Sequence, residues 1–176
     1  IFLVSFLTYL VGIFPSMVFA LPADPTVQAG TAVIDTVSSS QKMNVYQSTD
    51  KAIIDWGSFS IDTLEHVDFQ LSQGGVTLNR VTGNDPSQIL GKLTSNGDLW
   101  LINPNGILFG NNAQVDVRGL MATTSNITNS DFLSENYNFN IPSNLSSSIT
   151  NQGTITAAEG GLVALVAPGV QNLGVI

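Results

Sequence analysis

Asn151-Gln152-Gly153-Thr154-Ile155 returns as Asn172-Leu173-Gly174-Val175-Ile176, an N-x-G-x-I pattern whose copies start 172 minus 151, or 21, residues apart. Between them, Gly161-Leu162-Val163-Ala164-Leu165-Val166-Ala167-Pro168 is an almost unbroken apolar run. A period near 20 made of strands and turns is too short to be self-sufficient, because each coil can bury its inward face only against a neighbour. The apolar run predicts a strand covered on both faces, as in a parallel sheet. This stretch therefore reads as a β-solenoid. With coils about 4.8 Å apart, residues 21–176 would form a rod of roughly 35 Å. Ile176 falls inside a repeat, so the natural chain is expected to continue past it as a longer rod.

Upstream, short apolar alternations are broken by Asn, Gly and Ser clusters every eight to twelve residues or so, the signature of an all-β protein. The expected strands are Val45 to Gln47, Ala52 to Trp56, Phe59 with Ile61, Val67 to Leu71, Val76 to Leu78, Leu99 to Ile102, Ile107 to Phe109 and Val115 to Val117. One helical signal stands out. Asp85 can cap, Pro86 suits the first helical position and Gln88 is the partner three residues on, which predicts about two turns ending near Gly91. From Ser125 to Thr150 the pattern stops, and Phe132, Tyr137 and Phe139 in that polar segment are expected to pack back onto a flank of the rod.

Residues 1–14, IFLVSFLTYLVGIF, carry no charge, and Pro15 is followed by Ser16-Met17-Val18-Phe19-Ala20 with small residues at Val18 and Ala20. An apolar run before a small-x-small step is what signal peptidase cleaves, so residues 1–20 read as a signal peptide cut after Ala20. No Met or basic residue precedes Ile1, so the leader reads as clipped at its start. The run is shorter than the ~20 residues a membrane span prefers. Export by the general secretory machinery follows, leaving residues 21–176 as one domain, in keeping with a prior of roughly 150 residues.

Composition narrows the function. Charged residues are only 10% of the chain, so its surface is built of Ser, Thr, Asn, Gln and Gly. A net charge of -8 repels phosphate backbones and excludes nucleic acid as a natural partner. There is no cysteine, hence no disulfide, no cysteine zinc site and no thiol nucleophile.

No catalytic set and no metal or cofactor site emerges. His66 is the only histidine and reads as a surface residue. Asp55, Asp62, Glu65 and Asp68 form the densest acidic stretch without calcium-loop spacing. Asp116 and Arg118 alternate with Val115 and Val117 and are expected to form a solvated ion pair. Asn126-Ile127-Thr128 and Asn144-Leu145-Ser146 match the glycosylation sequon, a match that Asn-rich chains produce by chance.

Asn103-Pro104-Asn105-Gly106 lies between two expected strands and suits a type I turn, with Asn103 bonding forward, Pro104 fixing φ and Gly106 closing. Trp56 and Trp100 sit in apolar runs and read as packing residues. Leu99 and Leu101 alternate with Trp100 and Ile102, so both faces of that strand need cover, which a second sheet layer would supply.

Several segments carry a family resemblance. Ala52 to Ile61, Leu78-Asn79-Arg80-Val81-Thr82-Gly83, Pro86 to Leu93 and Leu101 to Gly110 resemble, in order, the N-terminal secretion domain of filamentous haemagglutinin-type exoproteins of two-partner secretion systems. The likeness runs on through Asp131-Phe132-Leu133 with Asn136-Tyr137 into Asn151 to Ile155. It implies a right-handed parallel β-helix with extra-helical strands and one short helix, recognised by the periplasmic domains of a partner outer-membrane β-barrel transporter. It implies a protein secreted to the cell surface of a Gram-negative bacterium via the periplasm. By the same likeness, Asn79, Arg80, Val81, Thr82 and Gly83, with Asn103, Pro104, Asn105 and Gly106, match secretion motifs. The Asn-Pro-Asn-Leu segment that well-known members carry upstream is not found here.

Two other classes compete. A carbohydrate-binding adhesin module would need an exposed Trp or Tyr beside carboxylates. A β-helical polysaccharide lyase would need clustered Asp and a basic residue in a groove, whereas Lys42, Lys51, Arg80, Lys92 and Arg118 are scattered. Binding of a host surface or carbohydrate would fall to a C-terminal part beyond residue 176.

Overall fold

A computed structural model describes residues 21–37 and 41–176; the expected leader and its cut after Ala20 lie outside the described residues. In chain order the strands are β1 (Thr26–Ala29), β2 (Ala32–Val37), β3 (Lys42–Gln47), β4 (Lys51–Trp56), β5 (His66–Leu71), β6 (Val76–Val81), β7 (Ser87–Ile89) and β8 (Lys92–Ser95). They continue with β9 (Asp98–Ile102), β10 (Ile107–Phe109), β11 (Gln114–Val117), β12 (Gly119–Thr123), then helix α1 (Asn129–Leu133), and β13 (Ser148–Asn151), β14 (Thr154–Ala157), β15 (Val163–Val166) and β16 (Gly169–Asn172).

These strands form three sheets, ordered β2-β3-β5-β8-β11-β14, β1-β4-β6-β9-β12-β15 and β7-β10-β13-β16. From β5 onward the chain visits the first, second and third sheet in turn, each strand parallel to its counterpart in the next coil. The result is the expected parallel β-helix, with about 5 turns. Its coil length shows in the register: Ser87 faces Ile107 and Ser148 faces Gly169, 20 and 21 residues on by subtraction. Ile107 faces Ile149, 42 residues on, because one further coil's worth of chain leaves the solenoid between β12 and β13. At the N-terminal side β1 and β2 instead pair antiparallel, with β4 and β3. Chain spent on these two departures shortens the rod, and five coils rise about 24 Å rather than 35.

The N-x-G-x-I repeat has a physical cause. Asn151 and Asn172 face each other in register, and Asn151 Nδ2 donates to Asn172 Oδ1 at 2.8 Å. Within each coil the same Asn Oδ1 accepts from the Gly backbone N–H two residues on, at 3.1 Å for Gly153 and 3.3 Å for Gly174. The side chain thus turns the chain out of the third sheet and stacks on its copy.

Two cores result. The interior one joins all three sheets and holds Trp56, Phe59, Val67, Phe69, Ile89, Leu93, Phe109 and Ile155 among others. A smaller one lies outside the second sheet, where Ile53, Leu78 and Ile102 pack with Ile127 and Phe132, flanked by Trp100 and Phe139.

Four expectations need correction. Phe59 and Ile61 form no strand, Ile61 making only an isolated parallel bridge to Ile89. The helix predicted at Asp85 to Gly91 is strand β7: Ser87-Gln88-Ile89 pairs in register with Ile107-Leu108-Phe109, and Ile89 is fully buried. A local cap signal loses to coil stacking, since a helix there would leave the edge of β10 that faces away from β13 unpaired. The short helix is α1, where Thr128 Oγ1 accepts from Asp131 N at 3.1 Å and donates to Asp131 Oδ2 at 2.8 Å, a capping pair three residues apart. Trp100 and Ile102 are covered by α1 and the segment after it, not by another sheet. Arg118 pairs with Asp98 of the preceding coil at 2.5 Å rather than with Asp116 of its own coil.

Candidate functional site

The two motif segments meet at one corner. Strand β6 carries Asn79, Arg80 and Val81 and faces β9, with Asn79 opposite Leu101 and Arg80 opposite Ile102. Thr82-Gly83 and Asn103 to Gly106 then lead out of these neighbouring strands, one coil apart.

Asn103 is fully buried and holds four backbone or side-chain groups. Its Nδ2 donates to the Asp85 carbonyl and to Ser87 Oγ, both at 3.0 Å, and its Oδ1 accepts from Asn105 N at 2.9 Å and Nδ2 at 3.2 Å. Gly106 N donates to the Asn103 carbonyl at 3.1 Å, closing the expected turn. Gly106 adopts φ +113°, a region that disfavours any side chain, which explains the glycine. Asn105 Nδ2 reaches back to the Gly83 carbonyl at 2.9 Å and so ties the two motifs together. Gly83 itself passes so close to the coil before it that a Cβ would sit 2.1 Å from the Gly57 carbonyl oxygen. Ser147 Oγ donates to the Pro104 carbonyl, joining the next coil to the same corner.

The Asn79–Gly83 segment works inward. Asn79 is 1% exposed; its Oδ1 accepts from Trp56 Nε1 at 3.0 Å. Val81 is in the interior core. Thr82 N and Oγ1 both donate to the Trp56 carbonyl, at 2.8 and 3.0 Å. Arg80 points to the outside of the second sheet, where its guanidinium donates to Asn126 Oδ1 (2.9 Å), Asn129 Oδ1 (2.9 Å), the Ile127 carbonyl (2.9 Å) and Asp55 Oδ1 (3.1 Å). It therefore pins the start of the excursion. Lys51 pins the far side: its Nζ donates to the Phe132 and Leu133 carbonyls, both at 3.2 Å, and pairs with Glu135 at 3.1 Å. A cation on the last carbonyls of α1 is well placed against the helix dipole. Sequence reading missed Lys51, whose only signal was that it is one of five basic residues in a chain poor in charge.

Elsewhere the site candidates dissolve into packing. Trp56 is fully buried, and Trp100 is ringed by Phe132, Tyr137 and Phe139 at centroid distances of 5.2, 4.8 and 5.7 Å. A cavity of about 280 Å³ beside Trp100 and Tyr137 has one carboxylate, Asp98, already held by Arg118. His66 Nε2 lies 2.7 Å from Thr94 Oγ1, which donates to Asp68 at 2.5 Å. Partial burial lowers the His66 pKa, against the pull of Asp68. Asp55 serves Arg80, so the acidic stretch does not converge, and among the described residues no three His, Cys, Asp or Glu side chains are grouped to hold a metal.

A family model for the TPS secretion domain matches residues 20–176. The chain belongs to this family. TPS domains are parts of exoproteins that leave Gram-negative bacteria by way of the periplasm and work with an outer-membrane transporter partner. The chain is similar to the HMW1 secretion domain from Haemophilus influenzae, at 36% identity and a TM-score of 0.79, covering 87% of this chain and 41% of that one. It is also 42% identical over 111 residues to a heme/hemopexin-binding protein of Haemophilus influenzae, covering 62% of this chain and 12% of the relative. A second protein of that description, from Haemophilus influenzae strain KW20 / Rd, is 42% identical over 121 residues, covering 68% and 13%. The matched parts thus span only about one eighth of these curated relatives.

Proposed function

We propose that this TPS domain is the address that the periplasmic domains of a partner outer-membrane β-barrel transporter recognise, and that outside the cell it nucleates folding of the rod. The observation that carries this reading is the corner where Asn105 binds Gly83 and Asn103 binds Asp85 and Ser87, because it locks one coil onto the next. Thr82 is exposed and Pro104 and Asn105 are half-buried, so the corner also offers a small polar surface. The periplasm has no ATP, and stacking coils on the outside at roughly 25 cal/mol per Å² of buried apolar area opposes backsliding. A further coil would find open parallel edges at β15 and β16, while Val175 already bridges the start of β14, and Leu162, Leu173 and Val175 are more than three-fifths exposed beside them.

The test replaces Asn103 and Asn105 with alanine in the whole exoprotein and measures it in the medium and in the periplasm. The expected outcome is a fall outside the cell with unchanged synthesis; full secretion of both variants would sink the reading. A carbohydrate-binding module finds little support, since Trp56 is interior and Trp100 is ringed by other aromatics.

A further inference from the structure

At the N-terminal side the three sheets end in β1, β2 and β7, and these edges differ. An exposed edge is a row of unpaired amides and carbonyls that templates another strand, so native sheets guard it with a bulge, a proline, a lysine or extreme shortness. Strand β1 has a register shift between Val27 and Ala29 and follows Pro25. Strand β7 has three residues and follows Pro86. Strand β2 has no bulge, proline, lysine or extreme shortness, and its one guard is the charge of Asp35. It runs six residues in unbroken antiparallel register with β3, without proline, glycine or lysine, and includes the β-branched Val33, Ile34 and Thr36. Ala32 and Ile34 pack on the interior core and hold the strand in place, while Val33 is 60% exposed on the outer face. Among the described residues no strand pairs with the outer edge of β2.

Asp35, exposed at the middle of this edge, decides what fits. Two copies that continued the sheet through β2 would overlap most fully in two registers. One sets Asp35 opposite Asp35 of the second copy, and like charges directly opposite destabilise a pair. The other sets each Asp35 against Val33, a carboxylate over an apolar side chain. Each chain also carries a net charge of -8, which opposes self-association. A foreign strand that is not acidic has neither handicap.

We propose that an extended segment of the transporter's periplasmic part adds to the outer edge of β2, with an apolar β-branched residue against Val33 and a Lys or Arg against Asp35. This rests on the transporter reading above and names the surface it uses. Main-chain bonds along the edge supply affinity, and the Val33–Asp35 pair supplies selectivity.

The test titrates the chain with the soluble periplasmic part of its partner transporter, by calorimetry and amide hydrogen exchange. Binding should slow exchange in β2, and Asp35→Lys and Val33→Lys should each weaken it about tenfold or more. Asp116→Lys, on β11 of the same sheet, should leave the affinity unchanged. Circular dichroism checks the fold; should Val33→Lys perturb it, the exposed Asp35→Lys variant decides alone. Unaltered affinity in the β2 variants overturns the edge assignment while the transporter reading stands, and failure of the unmodified chain to bind overturns both. A sedimenting dimer that Val33→Lys dissolves assigns the edge to a second copy and overturns the proposal.

Discussion

Trp56 and Trp100 lie in β4 and β9, two strands of one sheet, and face opposite ways. Trp56 points inward, is fully buried, meets Phe59 edge-on at 5.5 Å and donates its indole N–H to Asn79. Trp100 points outward, is half-buried, and is enclosed by three rings from a single excursion. The interior core is made by repetition, each coil adding residues to a cavity that the other coils also line. The outer core is made once, by α1 and its flanks, and is anchored by two cations, Arg80 and Lys51. Removing a residue from the first should unseat the stack, whereas removing one from the second should release a strap.

Four substitutions would break or sharpen that contrast. The largest effect belongs to Trp56→Ala, which empties an interior site and leaves Asn79 Oδ1 without its donor; about 4 kcal/mol of unfolding free energy should be lost in urea titration. Trp100→Ala should cost about half as much, roughly 2 kcal/mol, since the ring is only half-buried. Equal losses would mean that the two cores are one cooperative unit.

Arg80→Met comes between them, at about 3 kcal/mol, because it leaves Asp55 without its partner in a mostly buried pair. Amide exchange should then speed up over residues 126–141 while β5, β8 and β11 stay protected. Uniform loss of protection would contradict a strap that opens by itself.

The smallest effect lies on the outer face of the first sheet, which neither core includes. Partial burial works against ionisation of Asp68, but hydrogen bonds from Thr94 and Gln70 and the charge of Lys42 outweigh it and lower the pKa. A depressed carboxyl contributes stability that is present above its unfolded pKa and is lost as pH falls through the folded one. His66, lowered chiefly by burial, is neutral in the fold where the unfolded chain already binds a proton, so its contribution fades as pH falls below about 6.5. Both act in one direction: stability should decline on acidification, first through His66 and then through Asp68. His66→Gln should flatten the upper part of that decline in thermal unfolding measured from pH 7 to 5.

Where the chain repeats itself, its sequence was legible. The 21-residue recurrence of Asn151 at Asn172 foretold the stacking of coils, and alternation placed most of the strands, because a side chain's face in an extended strand follows from parity alone. Asn103-Pro104-Asn105-Gly106 foretold its turn, since each residue's local preference agrees with the role it takes. What lies outside the repeat was decided in three dimensions. Residues 85–91 carried a sound helix cap, yet became β7 because pairing with β10 and burial of Ile89 outweigh one capping pair. Asn105 reaching Gly83, Arg80 gathering Asn126, Ile127 and Asn129, and Lys51 meeting the end of α1 span 22 to 82 positions of sequence. Contacts at that range obey no short period; they depend on which coil comes to rest above which, and that follows from the energy of packing the whole stack.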